Sequence, residues 1–388
     1  MPDEQAKLPR ASLGHLSAVF LRLGLTAFGG PAAHIAIMED EFVRRRRWLT
    51  HERFLDLLGA ANLIPGPSST ELAVYIGYEQ AGWRGLVLGG TCFILPAALM
   101  VGVIAWAYVR FGTLPELAGV LYGIKPVVIG LVAQALWALA PKALKKSGLL
   151  GIIATGAGIA SSLGVDALVI LLGSGLVTVV ARRVFERQEN GGAASAFVPV
   201  TAAAAAGAAG AAAPVGLVVL FLTFLKIGAL VFGSGYVLLA FLRADLVYHL
   251  RWMTEPQLLD AVAVGQVTPG PVFTTATFIG YVVGGGWGAL VATIGIFLPG
   301  FLLVALTRPL LARVRRSAPA AAFLDGVNVA SLALMAVVTV QLARAALVDI
   351  PTIVIAIAGA VLLIRWKVNS TWLVAGAALV GALVRELR

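Results

Sequence analysis

The sequence has few charged residues and almost no cysteine, and these shortages exclude several classes of protein. Charged residues make up 12% and apolar residues 60% of the 388-residue chain. An average soluble domain has about twice that share of charged residues, so lipid must be the main solvent of this chain. Cys92 is the only cysteine, which excludes an internal disulfide and a cysteine-based metal cluster.

Motifs for catalysis and metal binding are also missing from the sequence. The four histidines, His15, His34, His51 and His249, are scattered without the spacing of a metal site. The sequence has no GxxxxGK[ST], HExxH or GxSxG element, so no motif indicates an ATPase, a metalloprotease or a hydrolase. We therefore expect a protein that is not an enzyme and that has no metal site and no cofactor.

The net charge of +10 does not predict a nucleic-acid partner. The basic residues are dispersed in short loops between apolar segments, which is typical of membrane topology signals and not of a phosphate-binding patch. The first 15 residues include Lys7 and Arg10 and lack the apolar core of a secretory signal peptide. We expect the first apolar segment to stay in the membrane.

The most informative feature that is present is an internal repeat with an offset of 204 residues. Residues 20–67 align without a gap on residues 224–271, with 15 identities in 48 pairs. A duplicated hydrophobic segment that is broken by glycine and proline is typical of transporters built from two related halves. The sequence predicts an N-terminal membrane repeat at 1–190, an Ala/Gly-rich linker at 191–213 and a C-terminal membrane repeat at 214–388.

Each half contains six apolar segments. They cover roughly 16–37, 54–81, 86–109, 117–139, 148–163 and 166–181 in the first half, and 215–241, 258–283, 288–307, 322–346, 351–365 and 370–385 in the second. The segment 54–81 is too short for two full spans, and Pro-Gly-Pro at 65–67 breaks it in the middle. It is either one interrupted span or a re-entrant hairpin of two half-helices.

The positions of the basic clusters favour the hairpin. With a hairpin, the following clusters all lie in the cytoplasm: Arg44–Arg47, Lys142–Lys146, Arg182–Arg187, Arg308–Arg316 and Arg365–Lys367. A single crossing would place two of them outside, against the positive-inside tendency. Five spans and a hairpin per half make the second half enter the membrane inverted. This topology places the amino terminus outside, although it carries Lys7 and Arg10.

Three cations within or beside apolar segments are candidate ligands for an anion. Arg22 and Lys226 occupy matched positions of the two repeats, and Lys125 is matched by Asn328 in the second repeat. A cation at membrane depth normally faces a cavity or a partner, so these residues predict a shared anion site. The alternative is that their long side chains reach the interface from the ends of the helices.

The chain breaks supply a second kind of anion ligand. Half-helices that begin after a glycine or proline break present free backbone N–H groups and the positive end of the helix dipole. Hydroxyls and amides beside the breaks could donate further hydrogen bonds, although N-capping explains the same hydroxyls. The predicted substrate-binding set is completed by Gly29, Gly30, Asn62, Pro65, Gly66, Pro67, Ser68, Ser69, Thr70, Gly233, Ser234, Gln266, Pro269, Gly270, Pro271, Thr274 and Thr275.

Two titratable residues are candidates for coupling transport to protons. Glu71 is the one carboxylate deep in a broken segment, and a buried carboxyl group beside an anion site can take up a proton. A structural ion pair explains Glu71 equally well. His34 is the second coupling candidate. Asp56 and Asp260 are matched residues that we expect to be helix caps or ion-pair partners.

These residues resemble the chromate ion transporter family in its long form with two fused domains. The resemblance covers about 16–385 and rests on Phe28-Gly29-Gly30-Pro31 with His34, on Pro65-Gly66-Pro67 and on Gly123-Ile124-Lys125-Pro126 with their second-half counterparts. The second copy departs from the first, because Gly233-Ser234-Gly235 lacks the proline and Leu238 replaces His34. The resemblance implies a cytoplasmic-membrane protein that exports chromate and confers resistance, with sulfate as a competing or exchanged dianion.

The sequence therefore predicts an all-α polytopic membrane protein made of two inverted repeats, each with about five transmembrane helices and a re-entrant hairpin. We expect a secondary transporter of a tetrahedral oxyanion in the lipid bilayer, with chromate efflux as its function. The alternatives are uptake of sulfate or another oxyanion and chromate/sulfate exchange. A membrane enzyme acting on lipid phosphates and a non-transporting receptor fit less well, and the sequence leaves open protons as the coupling ion and a homodimer.

Overall fold

A computed structural model describes residue 9 and residues 11–28, 30–111, 115–145, 147–189, 216–231, 237–307, 317–366, 368 and 370–386. All of the regular secondary structure in these residues is helical. Five of the helices are long and apolar enough to cross a membrane. The predicted ligands Gly29, Gly233 and Ser234 and the predicted linker at 191–213 lie outside the described residues. The domain boundaries stay a prediction.

The described residues of the first repeat form seven helices. They are α1 (Leu13–Thr26), α2 (Gly30–Glu39, continued by a π-helical turn at Asp40–Arg45), α3 (His51–Ala61), α4 (Ser68–Phe111), α5 (Pro115–Leu144), α6 (Gly148–Ser162) and α7 (Ala167–Glu189).

The second repeat has the same order of helices. They are α8 (Leu217–Leu230), α9 (Leu238–Leu242, continued by a π-helical turn at Arg243–His249), α10 (Glu255–Val267), a 3-10 turn at Val272–Thr274, α11 (Thr275–Thr307), α12 (Ala318–Ala346), α13 (Ile350–Arg365) and α14 (Ser370–Glu386). Even the π-helical turns recur at matched positions, so the repeat seen in the sequence is also a repeat of local structure.

The first apolar segment is a helical hairpin and not the single span that we expected. The rings of Phe20 on α1 and Phe42 after α2 are 5.2 Å apart, and Arg22 pairs with Glu41. As the chain advances along α1 from Phe20 to Arg22, the contacted residue moves backwards from Phe42 to Glu41. The two helices therefore run antiparallel. The break after Thr26 therefore reverses the chain, so this segment is not one of the five full spans expected in each repeat. The inverted orientation of the second repeat stays a prediction.

This hairpin also changes the expected position of the amino terminus. His15, near the start of α1, contacts Arg46, and Ala11 donates its N–H to the side chain of Gln80. The start of the described chain thus lies beside the Arg44–Arg47 cluster and not at the opposite end of the helices. Lys7 and Arg10, whose charge conflicted with an outside position, lie outside the described residues.

A second helical hairpin follows, with Pro65-Gly66-Pro67 at its tip. At its open end, Nη2 of Arg53 on α3 is 2.5 Å from Oε1 of Glu79 on α4. The helix α4 then breaks at Ala81 and Gly82, where Gly82 has a φ of 59°, and the chain reverses again. The helix α11 breaks in the same way at Gly285, with a φ of 64°. Only after these breaks do the long helical segments begin.

The hairpin tips of the two repeats meet each other. The N–H of Gly66 donates to the carbonyl of Val231 at 2.7 Å, and the N–H of Gly270 donates to the carbonyl of Ala27 at 2.9 Å. Both pairs join a Pro-Gly-Pro tip to the end of the first helix of the other repeat, and they are related by the same offset of 204 residues. Both Pro-Gly-Pro tips therefore meet the ends of the first helices at one centre.

The remaining helices are exchanged between the repeats. The helix α5 packs on α13 and α14, and its equivalent α12 packs on α6 and α7. Glycines allow this close approach, since Gly123 lies against the backbone of Ala377 and Gly326 lies against Ser174. Each repeat thus completes its core with the last two helices of the other.

We expect Gly66→Ala to destabilise the protein more than Gly82→Ala. Both glycines have positive φ angles, of 130° and 59°, where alanine is strained by about 1–2 kcal/mol. A methyl group at Gly66 would overlap the carboxylate of Glu71, whereas one at Gly82 has no neighbour within 4 Å. The overlap should add about 1–3 kcal/mol, seen as a larger drop in the thermal unfolding midpoint. Equal drops would contradict the described tip.

Candidate functional site

The centre formed by the tips is a buried cluster of proline, glycine and hydroxyl-bearing residues. The predicted ligands Pro65, Gly66, Pro67, Ser68, Ser69, Thr70, Pro269, Gly270, Pro271, Thr274 and Thr275 are all buried there. Gly66 and Gly270 take positive φ angles of 130° and 90°, which lets the chain turn between two prolines. The structure therefore brings together the helix starts and hydroxyls on which the predicted anion site depends.

The hydroxyls of the two tips have different partners. The Oγ1 atoms of Thr274 and Thr275 donate to the carbonyls of Pro271 and Val272, each at 2.8 Å, so they act in the local turn. In the first repeat, the Oγ1 of Thr70 is buried and has no hydrogen-bond partner among the described residues. A buried hydroxyl without a partner is unfavourable, so Thr70 is a donor available to a ligand.

His34 connects the two tips. Its Nε2 lies 3.0 Å from the carbonyl oxygen of Ala27, and its Nδ1 lies 3.3 Å from the Oγ of Ser69. A carbonyl only accepts, so Nε2 carries the proton, and in the neutral ring Nδ1 accepts from Ser69. The same Ala27 carbonyl accepts the N–H of Gly270. Leu238 replaces His34 in the second repeat, so this bridge exists on one side only.

Glu71 lies directly behind the first tip. Its side chain is 2% exposed, and its carboxylate is packed between Gly66 and Gly300 of α11 in the other repeat. A methyl group at either glycine would meet its Oε1 atom. The Oε2 atom has no hydrogen-bond partner among the described residues. The predicted alternative of a structural ion pair has no support there, because no described Lys, Arg or His pairs with Glu71.

Arg22 and Lys226 lie at the edge of this centre and are paired with carboxylates. Arg22 pairs with Glu41, which also binds Nε of Arg46 at 2.5 Å, and Lys226 lies 2.7 Å from Asp245. Both cations are about half exposed. Burial raises the pKa of Glu41, but hydrogen bonds and positive charge from the two arginines more than offset this and lower it. The pair thus contributes stability at neutral pH that is lost in acid.

An open cavity of about 450 Å³ lies beside Arg22 at this edge. Its lining consists of Arg22, Leu23, Thr26, Ala36, Ile37, Asp40, Glu41 and Arg45. Its lining residue Thr26 immediately precedes Ala27, whose carbonyl accepts the N–H of Gly270. The cavity is far larger than the ~30 Å³ of a water molecule and can admit a hydrated oxyanion.

Lys125 forms an ion pair across the two repeats. Its Nζ lies 3.1 Å from Oδ1 of Asp260 on α10, and the hydroxyl of Tyr108 donates to Oδ2 at 3.0 Å. Asp260 is buried, which agrees with its expected role as an ion-pair partner. The equivalent of Lys125 is Asn328, which is half-buried on α12 and cannot form such a pair.

The two predicted amide ligands lie beside the tips in different settings. Asn62 is exposed and ends α3, whereas Gln266 is half-buried in the last turn of α10. The partners Glu41, Asp245 and Tyr108 and the carbonyls of Ala27 and Val231 were missed by the sequence interpretation. The matched acids were detectable in principle, because Glu41 and Asp245 have the same offset of 204 residues as Arg22 and Lys226. Among the described residues, no group of three His, Cys, Asp or Glu is arranged to hold a metal ion.

The long apolar helices and the repeated hairpins define a multi-pass membrane protein built from two related repeats. The sequence profile of the Chromate transporter family matches residues 14–179 and 218–382. The chain belongs to this family, and each matched region covers one repeat.

Three relatives match nearly the whole chain. The chromate transport protein of Cupriavidus metallidurans is 35% identical over 382 residues, which cover 98% of this chain and 95% of that protein. The chromate transport protein of Pseudomonas aeruginosa is 33% identical, with 98% and 94% covered. The probable chromate transport protein of Synechococcus elongatus is also 33% identical, with 93% and 92% covered. No solved structure matches the chain.

We expect Lys125→Gln and Asp260→Asn each to destabilise the protein, because each leaves its partner's charge without a counter-charge. Removing one partner of a buried pair costs about 3–5 kcal/mol, and partial exposure of Lys125 should reduce this to about 2–3 kcal/mol. The double variant should lose less than the sum of the two single variants in thermal unfolding. Lys142→Gln, at an exposed position on α5, is the control. Additive losses would mean that the pair does not interact.

Proposed function

We propose that this protein is a secondary transporter that moves chromate out of the cytoplasm. The single observation that carries the proposal is the meeting of two Pro-Gly-Pro tips, with their helix starts and hydroxyls, in a buried centre. Broken helices inside a membrane protein are tolerated where they line a cavity, and their N-termini favour anions. The full-length relatives named as chromate transport proteins supply the identity of the anion.

We further propose that the two repeats lie inverted in the membrane, with both Pro-Gly-Pro hairpins re-entrant and one further crossing of the chain between α7 and α8. Contacts of the long part of α4 support this. That part runs parallel to α1, since Phe20 lies beside Gly89 and Gly24 lies beside Phe93. It runs antiparallel to α10, since its far end at Tyr108 binds Asp260 and the tip at Gly270 lies beside Ala97. The two tips thus approach the centre from opposite ends of α4.

The basic clusters indicate which end faces the cytoplasm. If α4, α5, α6 and α7 cross in turn, Arg44–Arg47, the end of α5 and the end of α7 share one end of the molecule. Lys145 and Arg182 support this arrangement because both pair with Asp325 on α12. The positive-inside tendency assigns that end to the cytoplasm. The cavity beside Arg22 would then be the cytoplasmic mouth of the transport path.

In this arrangement each group has a distinct role. Arg22 and Arg45 would attract the dianion into the mouth. There the dianion would replace the carboxylates with which these arginines are paired. The helix starts at Ser68–Thr70 and Thr274–Thr275 would bind it between the tips. The Lys125–Asp260 pair closes the opposite side of the centre and would have to open before release. Rocking of one repeat against the other would change the open side, as in other transporters with inverted repeats.

Flux of chromate into proteoliposomes tests the proposal. We expect the wild-type protein to transport chromate and to protect chromate-sensitive cells when it is expressed. Arg22→Ala should reduce flux about tenfold or more, because removing a charged hydrogen-bond partner costs about 1.5–3 kcal/mol. Arg44→Ala is the matched control, since Arg44 is more exposed, lines no part of the cavity and lies 3.8 Å from Glu39. Equal flux in wild type and both variants would remove Arg22 from the site.

Sulfate is the second candidate substrate, because it has the same shape and charge as chromate. Backbone N–H groups and hydroxyls recognise both anions by the same hydrogen bonds. Competition with unlabelled sulfate in the same liposomes decides between them. We expect chromate to be preferred, and a strong preference for sulfate would instead favour sulfate uptake or chromate/sulfate exchange.

A further inference from the structure

We propose that Glu71 is the proton-binding residue of this transporter and that its protonated form holds the first tip against the second repeat. Opening of the interface between α4 and α11 would then be linked to release of this proton to water. The inference rests on the proposed function only for the identity of the transported anion.

The fit around Glu71 is the first support. Its carboxyl group touches Gly66 in its own tip and Gly300 on α11 of the other repeat. Both neighbours are glycines, and a methyl group at either would collide with the carboxyl group. The site is therefore shaped for this side chain at the interface that must open during transport.

The absence of a counter-charge for Glu71 among the described residues is the second support. The cations on the neighbouring helices are paired with other carboxylates: Arg22 with Glu41, Arg53 with Glu79 and Lys125 with Asp260. The helix α11 itself contains no charged residue. An ionised carboxylate buried without a counter-charge is strongly unfavourable, so this packing fits the neutral acid.

Two further titratable groups face this region. His34 on α2 is bound to Ala27 and Ser69, and Tyr75 on α4 shares a hydrogen bond of 2.8 Å with Thr307 of α11. The hydrogen bond of Tyr75 crosses the interface between α4 and α11, whereas those of His34 lie within the first repeat. Thr275 is the equivalent of Glu71 in the second repeat, so only the first tip has a proton-binding group.

Proton binding by Glu71 and anion binding between the tips are expected to strengthen each other. When the O–H bond of Glu71 breaks, the carboxylate requires water, and water reaches it only if α4 separates from Gly300. A dianion bound at Ser68–Thr70 repels the carboxylate, so anion and proton favour each other's binding. Anion and proton should therefore move in the same direction across the membrane.

Hydrogen–deuterium exchange of the full-length protein in lipid nanodiscs tests the inference without a substrate. We expect exchange in residues 66–75 and 296–304, corrected for intrinsic pH dependence, to increase with pH in the wild type. The increase should approach about tenfold per pH unit above the point of proton release. Glu71→Gln keeps the shape and cannot lose a proton, so it should stay protected throughout.

Glu79→Gln is the matched control. Glu79 lies on the same helix and has Arg53 as its partner, so its variant should keep the wild-type pH response. A pH response in Glu71→Gln equal to that of the wild type, or a wild type insensitive to pH, would overturn the inference. If the Glu71→Gln protein fails to insert into the membrane, infrared spectroscopy of the wild type alone still tests the inference. We expect the C=O band of a protonated carboxyl group at neutral pH, and its absence would overturn the inference.

These outcomes are distinguishable from failure of the proposed function. A wild-type protein that shows the exchange response and the infrared band but moves no chromate would refute chromate transport and leave the proton site standing. If chromate flux is observed, it should carry protons in the same direction in the wild type and none in Glu71→Gln. Proton movement that is unchanged in Glu71→Gln would show that another residue couples transport.

Discussion

The structure depends on two backbone hydrogen bonds that join each Pro-Gly-Pro tip to the other repeat. A proline on each side of the glycine leaves that glycine as the one backbone donor within the tip. In a medium without water this donor must find an acceptor in the protein. The acceptor is the last free carbonyl of a helix that ends early, Ala27 for Gly270 and Val231 for Gly66. The first helices therefore supply the hydrogen-bond acceptors that the Pro-Gly-Pro tips of the other repeat require.

The two halves of this centre are equivalent in backbone and different in side chains. Both tips turn at glycine and bind a carbonyl, but only the first has His34 and Glu71 behind it. Of the equivalent helices α5 and α12, α5 carries Lys125 where α12 carries Asn328. The shared residues build the contact between the two tips and the first helices. The unshared residues make the two sides of this centre chemically different.

Much of this architecture could be predicted from the sequence. The repeat, the helical class, the hairpin at 54–81 and the importance of the Pro-Gly-Pro elements all follow from composition and from the positions of glycine and proline. The same residues identified the family, which the two profile matches confirmed. The buried hydroxyls and Glu71 were found because polar residues within apolar segments are rare and stand out.

Other features were not predictable by the same means. The first apolar segment was interpreted as one span because a hydropathy pattern does not show a chain reversal at glycine. Backbone acceptors such as Val231 leave no mark in a sequence, since every residue has a carbonyl. The cations were expected to face a substrate, but their partners are distant in sequence, as with Lys125 and Asp260, or lie across a reversal, as with Arg22 and Glu41. Pairing of that kind needs the tertiary structure.

The exchange of α5 and α12 between the repeats has a consequence for biosynthesis. The surface of α5 around Gly119 and Gly123 is made for α14, and its contacts at Ala382 and Ala377 lie more than two hundred residues later in the chain. Contacts this distant in sequence form slowly and only after the ribosome has released most of the polypeptide. The first repeat must therefore wait in the bilayer with a glycine-lined groove facing lipid. An insertion chaperone that shields such grooves would raise the yield of this protein more than that of a transporter whose halves are complete in themselves.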